Sequence, residues 1–261
     1  MSDRRQRQKE QRAAKREAER KRESRRELGR RLLTALVFGV IVVGVFALGG
    51  FFSGNSTDVP GTYEDYRAQE TACGAERPPT EQVATFDSSD DMGIDATSDV
   101  TATVATSCGE FVIDLNNGDA PETVNSFAFL ASEGFYDGQV VHRIAQDFVF
   151  QTGDPDADGT GGPGYLVADE FPDEGFVYEE GVVAMQSRGA RSTGSQFFVV
   201  AGPDGQFLTN QFNVLGTVIS GQETIDRIMD VRTATAPGSV EQSRPLETVY
   251  VESITIDVPD S

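Results

Sequence analysis

The chain has 261 residues, enough for one or two domains, and its 38% hydrophobic content with 17 Phe supports a packed core, which excludes a wholly disordered protein. The net charge of -20 conceals a division: up to Arg31 there are 14 Lys plus Arg against 6 Asp plus Glu, whereas beyond it 8 Arg and no Lys face 36 acidic residues. A single histidine, His142, excludes His-rich metal sites and leaves a Ser-His-Asp hydrolase only one residue to use.

In chain order, residues 1–31 are rich in Ala, Glu, Arg and Lys, with good helix propensity and no apolar stripe. They read as a helical cytoplasmic segment attracted to anionic lipid rather than as a nucleic-acid arm. Residues 32–52, LLTALVFGVIVVGVFALGGFF, carry no charge and at about 1.5 Å per residue just cross ~30 Å of hydrocarbon, so a transmembrane helix is expected. A cleaved signal peptide is the competing reading, with Ala47, Leu48 and Gly49 a passable site, but the segment before it is too long and too charged for an ordinary leader. The positive-inside bias then places a single-pass protein in the cell membrane with everything after Phe52 extracytoplasmic.

Residues 53–97 hold Gly, Ser, Asp, Pro and Thr without periodicity and read as an extended, partly disordered acidic linker. From there to residue 258 the pattern becomes β-rich, with expected strands at 101–105, 111–115, 140–144, 148–151, 182–185, 196–200, 214–219 and 248–256. Eight short strands between Gly and Pro turns predict a barrel or sandwich. Two helices interrupt them. One starts at Pro121, sets Val124, Phe127, Ala128 and Ala131 on one face and ends at Gly134; the other covers 222–229 with Ile225, Ile228 and Met229 inward. Cys73 and Cys108 both lie beyond the expected membrane span, where disulfides persist, and their spacing fits neither a zinc site nor a CxxC. A bridge between them is expected over two separate thiols, and closing a loop of that size contributes about 3 to 4 kcal/mol in the entropic description.

Several chemistries can be weighed directly. His142 sits in the apolar run Val140 to Ile144 with no GxSxG elbow in the chain, which favours a satisfied structural histidine. Asp154, Asp156 and Asp158 begin like a calcium loop, but its twelfth position is Tyr165 rather than Glu and no flanking helices are expected. The glycines from Gly159 to Gly164 lack the Lys of a phosphate loop. Arg143, Gln151 and Gln196 are polar residues embedded in apolar, aromatic-rich runs, which points to a shared polar and aromatic groove.

The runs VVHRIAQDFVFQTGD, DGTGGPGY, VVAMQSRGARSTGSQFFVV and QFLTNQFNVLGTV stand in the order and spacing of the cyclophilin signature, so the chain over 99–257 resembles that family of peptidyl-prolyl cis-trans isomerases, and its basic N-terminus and span resemble the membrane-anchored bacterial members. The resemblance implies a mainly β domain at 98–258: a closed antiparallel eight-stranded barrel capped by two helices, here preceded by one transmembrane helix. It implies an isomerase that assists folding of extracytoplasmic proteins with no cofactor and no metal. Arg143 takes the place of the catalytic arginine, with Gln151 beside it in the catalytic groove. Phe148, Phe198 and Leu208 match residues lining the proline pocket, Gln196 a polar groove residue, Gly159 the glycine of the adjoining loop, and Ser187 the place where backbone grips the residue before proline. Val149 stands where Met is usual, Gln186-Ser187-Arg188 replaces a smaller run, Phe207 stands for a frequent Trp and Phe212 for His or Tyr. These keep the pocket apolar, so activity with altered preference and weak cyclosporin binding is implied. The expected partners are Pro-containing segments bound by a monomer, with no nucleic acid. Two other readings stay open, a non-catalytic chaperone-like module for such segments and an acidic envelope scaffold; Arg143 argues against the first and the retained groove residues against the second.

Overall fold

The computed structural model describes residues 59–79 and 84–258; the basic segment 1–31, the expected transmembrane helix 32–52 and the first linker residues, 53–58, lie outside the described residues. Among the described residues no helix is long and apolar enough to cross a membrane.

The fold is mainly β. A hairpin of β1 (Thr101–Thr106) and β2 (Gly109–Leu115) leads to helix α2 (Pro121–Ser132), which follows a short helix α1 (Tyr63–Ala68) near the start of the described chain. Then come β3 (Arg143–Ala145), β4 (Val149–Thr152), β5 (Val182–Met185), β6 (Phe197–Val200), β7 (Val214–Ser220), α3 (Gln222–Met229), β8 (Thr233–Thr235), β9 (Gln242–Pro245) and β10 (Val251–Asp257). Eight of the strands form one curled sheet in the order β10-β1-β2-β7-β5-β6-β4-β3, every neighbour antiparallel, and β8 with β9 forms a separate hairpin.

Strand alternation divides the apolar residues into two layers. Val183 and Met185 of β5, Phe197 and Val199 of β6, Phe150 of β4 and Leu215 of β7 join the main core with Phe127 and Leu130 of α2. Their alternate neighbours Val182, Ala184, Phe198, Val200, Val149 and Val214 form a second apolar cluster with Tyr178, covered by Phe148, Leu208 and Phe212. Strands buried on both faces read as unbroken apolar runs, which is why Phe197-Phe198-Val199-Val200 shows no polar alternation.

Three expectations are corrected. The sheet is not a ladder closed through eight strands: its edge strands β3 and β10 do not pair, and the segments leading into them meet at the isolated bridge Val140 to Tyr250, held by Val141 N donating to Val249 O at 2.9 Å and Val251 N to Gln139 O at 2.8 Å. The expected strand at 140–144 therefore starts at Arg143, and the one at 248–256 starts at Val251. The β8–β9 hairpin was not foreseen, since TAT and QSRP carry no period-two pattern.

Part of the acidic stretch expected as an extended spacer is packed, around residues 62–73, while most of 84–97 is exposed and forms no helix or strand. Thr62 and Asp65 form a reciprocal capping box that starts α1, Tyr66 is fully buried, and its hydroxyl donates to His142 O at 2.8 Å. Cys73 and Cys108 form the expected disulfide, which ties this stretch to the β1–β2 turn.

Candidate active site

The adjacent strands β3, β4 and β6 set the polar residues side by side. Arg143 of β3 pairs in register with Gln151 of β4, and Gln151 pairs with Phe198 of β6. The Gln151 amide donates to Gln196 Oε1 at 2.9 Å, and the Gln196 amide donates to Gly161 O at 2.9 Å. Val149 and Gln151 share one face of β4 while Phe150 enters the core, so the pleat that buries Phe150 sets Gln151 on the opposite face, beside the second apolar cluster.

The apolar wall is the second cluster. Phe198 and Phe212 meet edge to face at 5.3 Å, and the backbone of Phe212 is held by Tyr178, whose hydroxyl donates to Phe212 O at 2.7 Å. The Arg143 guanidinium carbon lies 5.5 Å from the centre of the Phe148 ring, a cation–π contact that links the polar row to the wall. Phe148, Leu208 and Phe212 are partly exposed above Val149 and Phe198, which are nearly covered. Phe207 departs from the expected wall: it is 66% exposed at the end of the turn Pro203–Phe207 and belongs to neither apolar cluster.

Gly159 and Ser187 occupy two flanking loops. Gly159 has φ +91°, a backbone that an L side chain adopts only under strain. The loop is organised by Asp154, fully buried, whose carboxylate accepts from the backbone N of Asp156, Gly159 and Gly161. A Cβ on Gly161 would collide with that carboxylate. Burial raises the Asp154 pKa, the backbone donors pull it back, and Asp158 and Asp156 push it further up. The aspartates that began like a calcium loop thus serve a loop fold, and among the described residues no group of acidic, His or Cys side chains is arranged to hold a metal ion. Ser187 is buried, with its hydroxyl donating to Gly189 O at 2.9 Å, and Gln186 N donates to Gln196 O at 2.8 Å, which joins this loop to the glutamine row.

His142, expected to be hydrogen-bonded, is 3% exposed and neither ring nitrogen has a partner among the described residues. Burial lowers its pKa to about 3, assisted by the charges of Arg244 and Arg143, so the ring is neutral and cannot serve as a base near neutral pH. Sequence reasoning missed Glu241. Its carboxylate accepts from Arg143 Nε at 2.8 Å and from Arg143 Nη2 at 2.6 Å, a bidentate pair across 98 residues. Burial acts to raise the Glu241 pKa, yet the hydrogen bond and charge of Arg143, with Ser243 and Arg244, hold it below the usual value. Two of the five guanidinium N–H groups are so engaged, and Nη1 has no partner among the described residues.

The partly exposed Phe148, Leu208 and Phe212 thus lie on the buried Val149 and Phe198, beside the Gln151–Gln196 pair and an arginine held by Glu241. A family model described as cyclophilin type peptidyl-prolyl cis-trans isomerase/CLD matches residues 101–256. The chain is 37% identical over 173 residues to the probable peptidyl-prolyl cis-trans isomerase B of Mycobacterium leprae, covering 60% of this chain and 57% of that protein. It is 36% identical over 174 residues to the peptidyl-prolyl cis-trans isomerase B of Streptomyces anulatus, covering 60% of this chain and 95% of that one. The chain thus spans little more than half the length of the mycobacterial relative. A crystal structure of a Cryptosporidium parvum cyclophilin type peptidyl-prolyl cis-trans isomerase shares the fold, with TM-score 0.54 and 24% identity over 61% of this chain and 98% of that one.

Proposed function

This chain belongs to the family of cyclophilin-type peptidyl-prolyl cis-trans isomerases, and from that premise we propose that it catalyses rotation about X-Pro peptide bonds in Pro-containing segments, with Arg143 as the catalytic residue. The observation that carries this reading is the Arg143 guanidinium beside Phe148, with Nη1 unpartnered among the described residues, next to the Gln151–Gln196 pair.

Rotation faces a barrier of about 20 kcal/mol because the twist breaks amide resonance. No bond is made or broken, so the residues need only bind, orient and polarise. The proline ring rests against Phe148, Leu208 and Phe212 over Val149 and Phe198, with Phe207 at the rim. Gln151, Gln196 and the backbone near Ser187 and Gly159 hold the flanking peptide. Arg143 donates to the prolyl amide nitrogen, whose lone pair becomes available only as resonance is lost, so the contact strengthens toward the transition state. A Cryptosporidium parvum structure of the same fold was determined in the presence of the dipeptide Ala-Pro, which supports Pro-containing segments as the ligand class.

The reading extends to placement. The uncharged run 32–52 after a basic segment supports a single membrane anchor with an extracytoplasmic domain that assists the folding of exported proteins, the basic segment lying against anionic lipid and the domain acting as a monomer. The Cys73–Cys108 disulfide fits an oxidising compartment. The test of the activity is exchange NMR on an X-Pro peptide with catalytic amounts of the full chain. Cis-trans exchange accelerated far above the uncatalysed rate is expected, and unchanged exchange with the peptide bound would favour a binding module instead.

A further inference from the structure

We infer that Glu241 is a positioning residue for Arg143: it grips the Nε and Nη2 edge of the guanidinium and so turns Nη1 toward the prolyl amide. The inference rests on the isomerase reading above. An arginine is a long side chain with many rotamers, and an unheld guanidinium would present its donors to the groove only part of the time. Here two contacts fix its plane, the carboxylate at one edge and the Phe148 ring beneath. Both partners remain partly open, with side-chain exposures of 26% for Arg143 and 40% for Glu241, so the pair borders the groove rather than the core.

Glu241 is itself held. It lies next to the start of β9, its backbone N donates to Ser239 Oγ at 3.0 Å, and the β8–β9 hairpin packs on β3, the strand that carries Arg143. The second nearby cation, Arg244, is occupied elsewhere: its Nη1 donates to the carbonyls of Ala157 and His142 and to the Tyr66 hydroxyl. Glu241 is hydrogen-bonded by Arg143, with Ser243 as a further side-chain partner and Arg244 acting on it through charge alone. The hairpin that sequence patterning missed has a purpose in this account, which is to carry one carboxylate to the rim of the groove.

The test is a double-mutant cycle on the full chain with an X-Pro peptide, using the parent, Glu241→Ala, Glu241→Gln, Arg143→Ala and the Arg143→Ala/Glu241→Ala pair, each checked for fold by circular dichroism. Glu241→Ala should lower kcat/KM about 10-fold, mainly through kcat. Glu241→Gln, which keeps an acceptor for one N–H, should recover most of that loss. In the Arg143→Ala background the Glu241→Ala change should have less than about a twofold effect, because a residue that acts through another is silent once the other is gone. Equal losses in both backgrounds would overturn the inference, as would a faster Glu241→Ala enzyme, which would mean that the carboxylate masks the arginine. An inactive parent would fail the isomerase reading and leave a separate readout. The Arg143 Nε–H resonance should be exchange-protected in the parent and unprotected in Glu241→Ala, and an unprotected signal in the parent overturns the pairing itself.

Discussion

Phe197 and Phe198 are neighbours on one four-residue strand, yet they belong to different parts of the molecule. Phe197 packs against Phe127 and Tyr136 in the main core, at ring separations of 5.6 and 5.8 Å, and is sealed between sheet and helix. Phe198 lies in the second layer, a cluster against which the partly exposed Phe148, Phe212 and Leu208 pack, with the Phe212 ring edge to face on its own. The same chemistry, placed on opposite sides of one pleat, joins the main core on one face and a smaller, partly open apolar cluster on the other. His142 and Arg143 repeat the division on β3 and the residue before it: one side chain is buried and neutral, the other is partly exposed and paired with Glu241.

The sharpest way to break this comparison is to shorten each ring in turn. Phe197→Ala should cost about 3 to 5 kcal/mol of stability, since the cavity is enclosed and cannot collapse. Phe198→Ala should cost under about 3 kcal/mol, because its covering side chains can close over the gap, and should reduce kcat/KM on X-Pro peptides chiefly by raising KM. Chemical denaturation with a parallel assay separates the two. Equal stability losses with turnover untouched in Phe198→Ala would erase the distinction between the layers.

The pair also shows what could be read in advance. The run QFFVV announced a strand, and the conflict of Gln196, Gln151 and Arg143 with their apolar surroundings announced that they need partners, which the glutamines find in each other and Arg143 in Glu241. Which Phe faced which side was not legible, since burial on both faces removes the alternation that assigns faces. Glu241 was illegible for a different reason: it is one of 36 acidic residues after Arg31, and only the tertiary path of the β8–β9 hairpin brings it to Arg143. Tyr66 was hidden inside a stretch whose composition reads as a spacer, and its packing depends on contacts with His142 and Thr248 far along the chain.

A smaller effect sharpens the His142 half of the comparison. Its folded pKa, about 3, lies below the ordinary 6.5, so the unfolded chain binds the extra proton between those values and stability is lost as pH falls through that window. Between pH 6.5 and about 5, above the ordinary carboxylate range, the loss should be roughly 1.5 to 2 kcal/mol by this linkage. Asp154, raised by burial, acts in the opposite sense. As His142 is the single histidine, His142→Phe should flatten the profile of denaturation midpoints in that window. A variant with the parent's slope would show that the buried ring is not its source.

The central claim is that one guanidinium at the groove edge stabilises the twisted amide, and Arg143→Ala tests it most directly. A charge-assisted hydrogen bond supplies about 1.5 to 3 kcal/mol, so kcat/KM for an X-Pro peptide should fall roughly 10- to 150-fold, with residual activity from the apolar pocket and an unchanged circular dichroism spectrum. Arg143→Lys should also be poor, since an ammonium lacks the planar fork that can face Glu241 and the groove together. A folded Arg143→Ala protein that isomerises the peptide as fast as the parent would contradict the account.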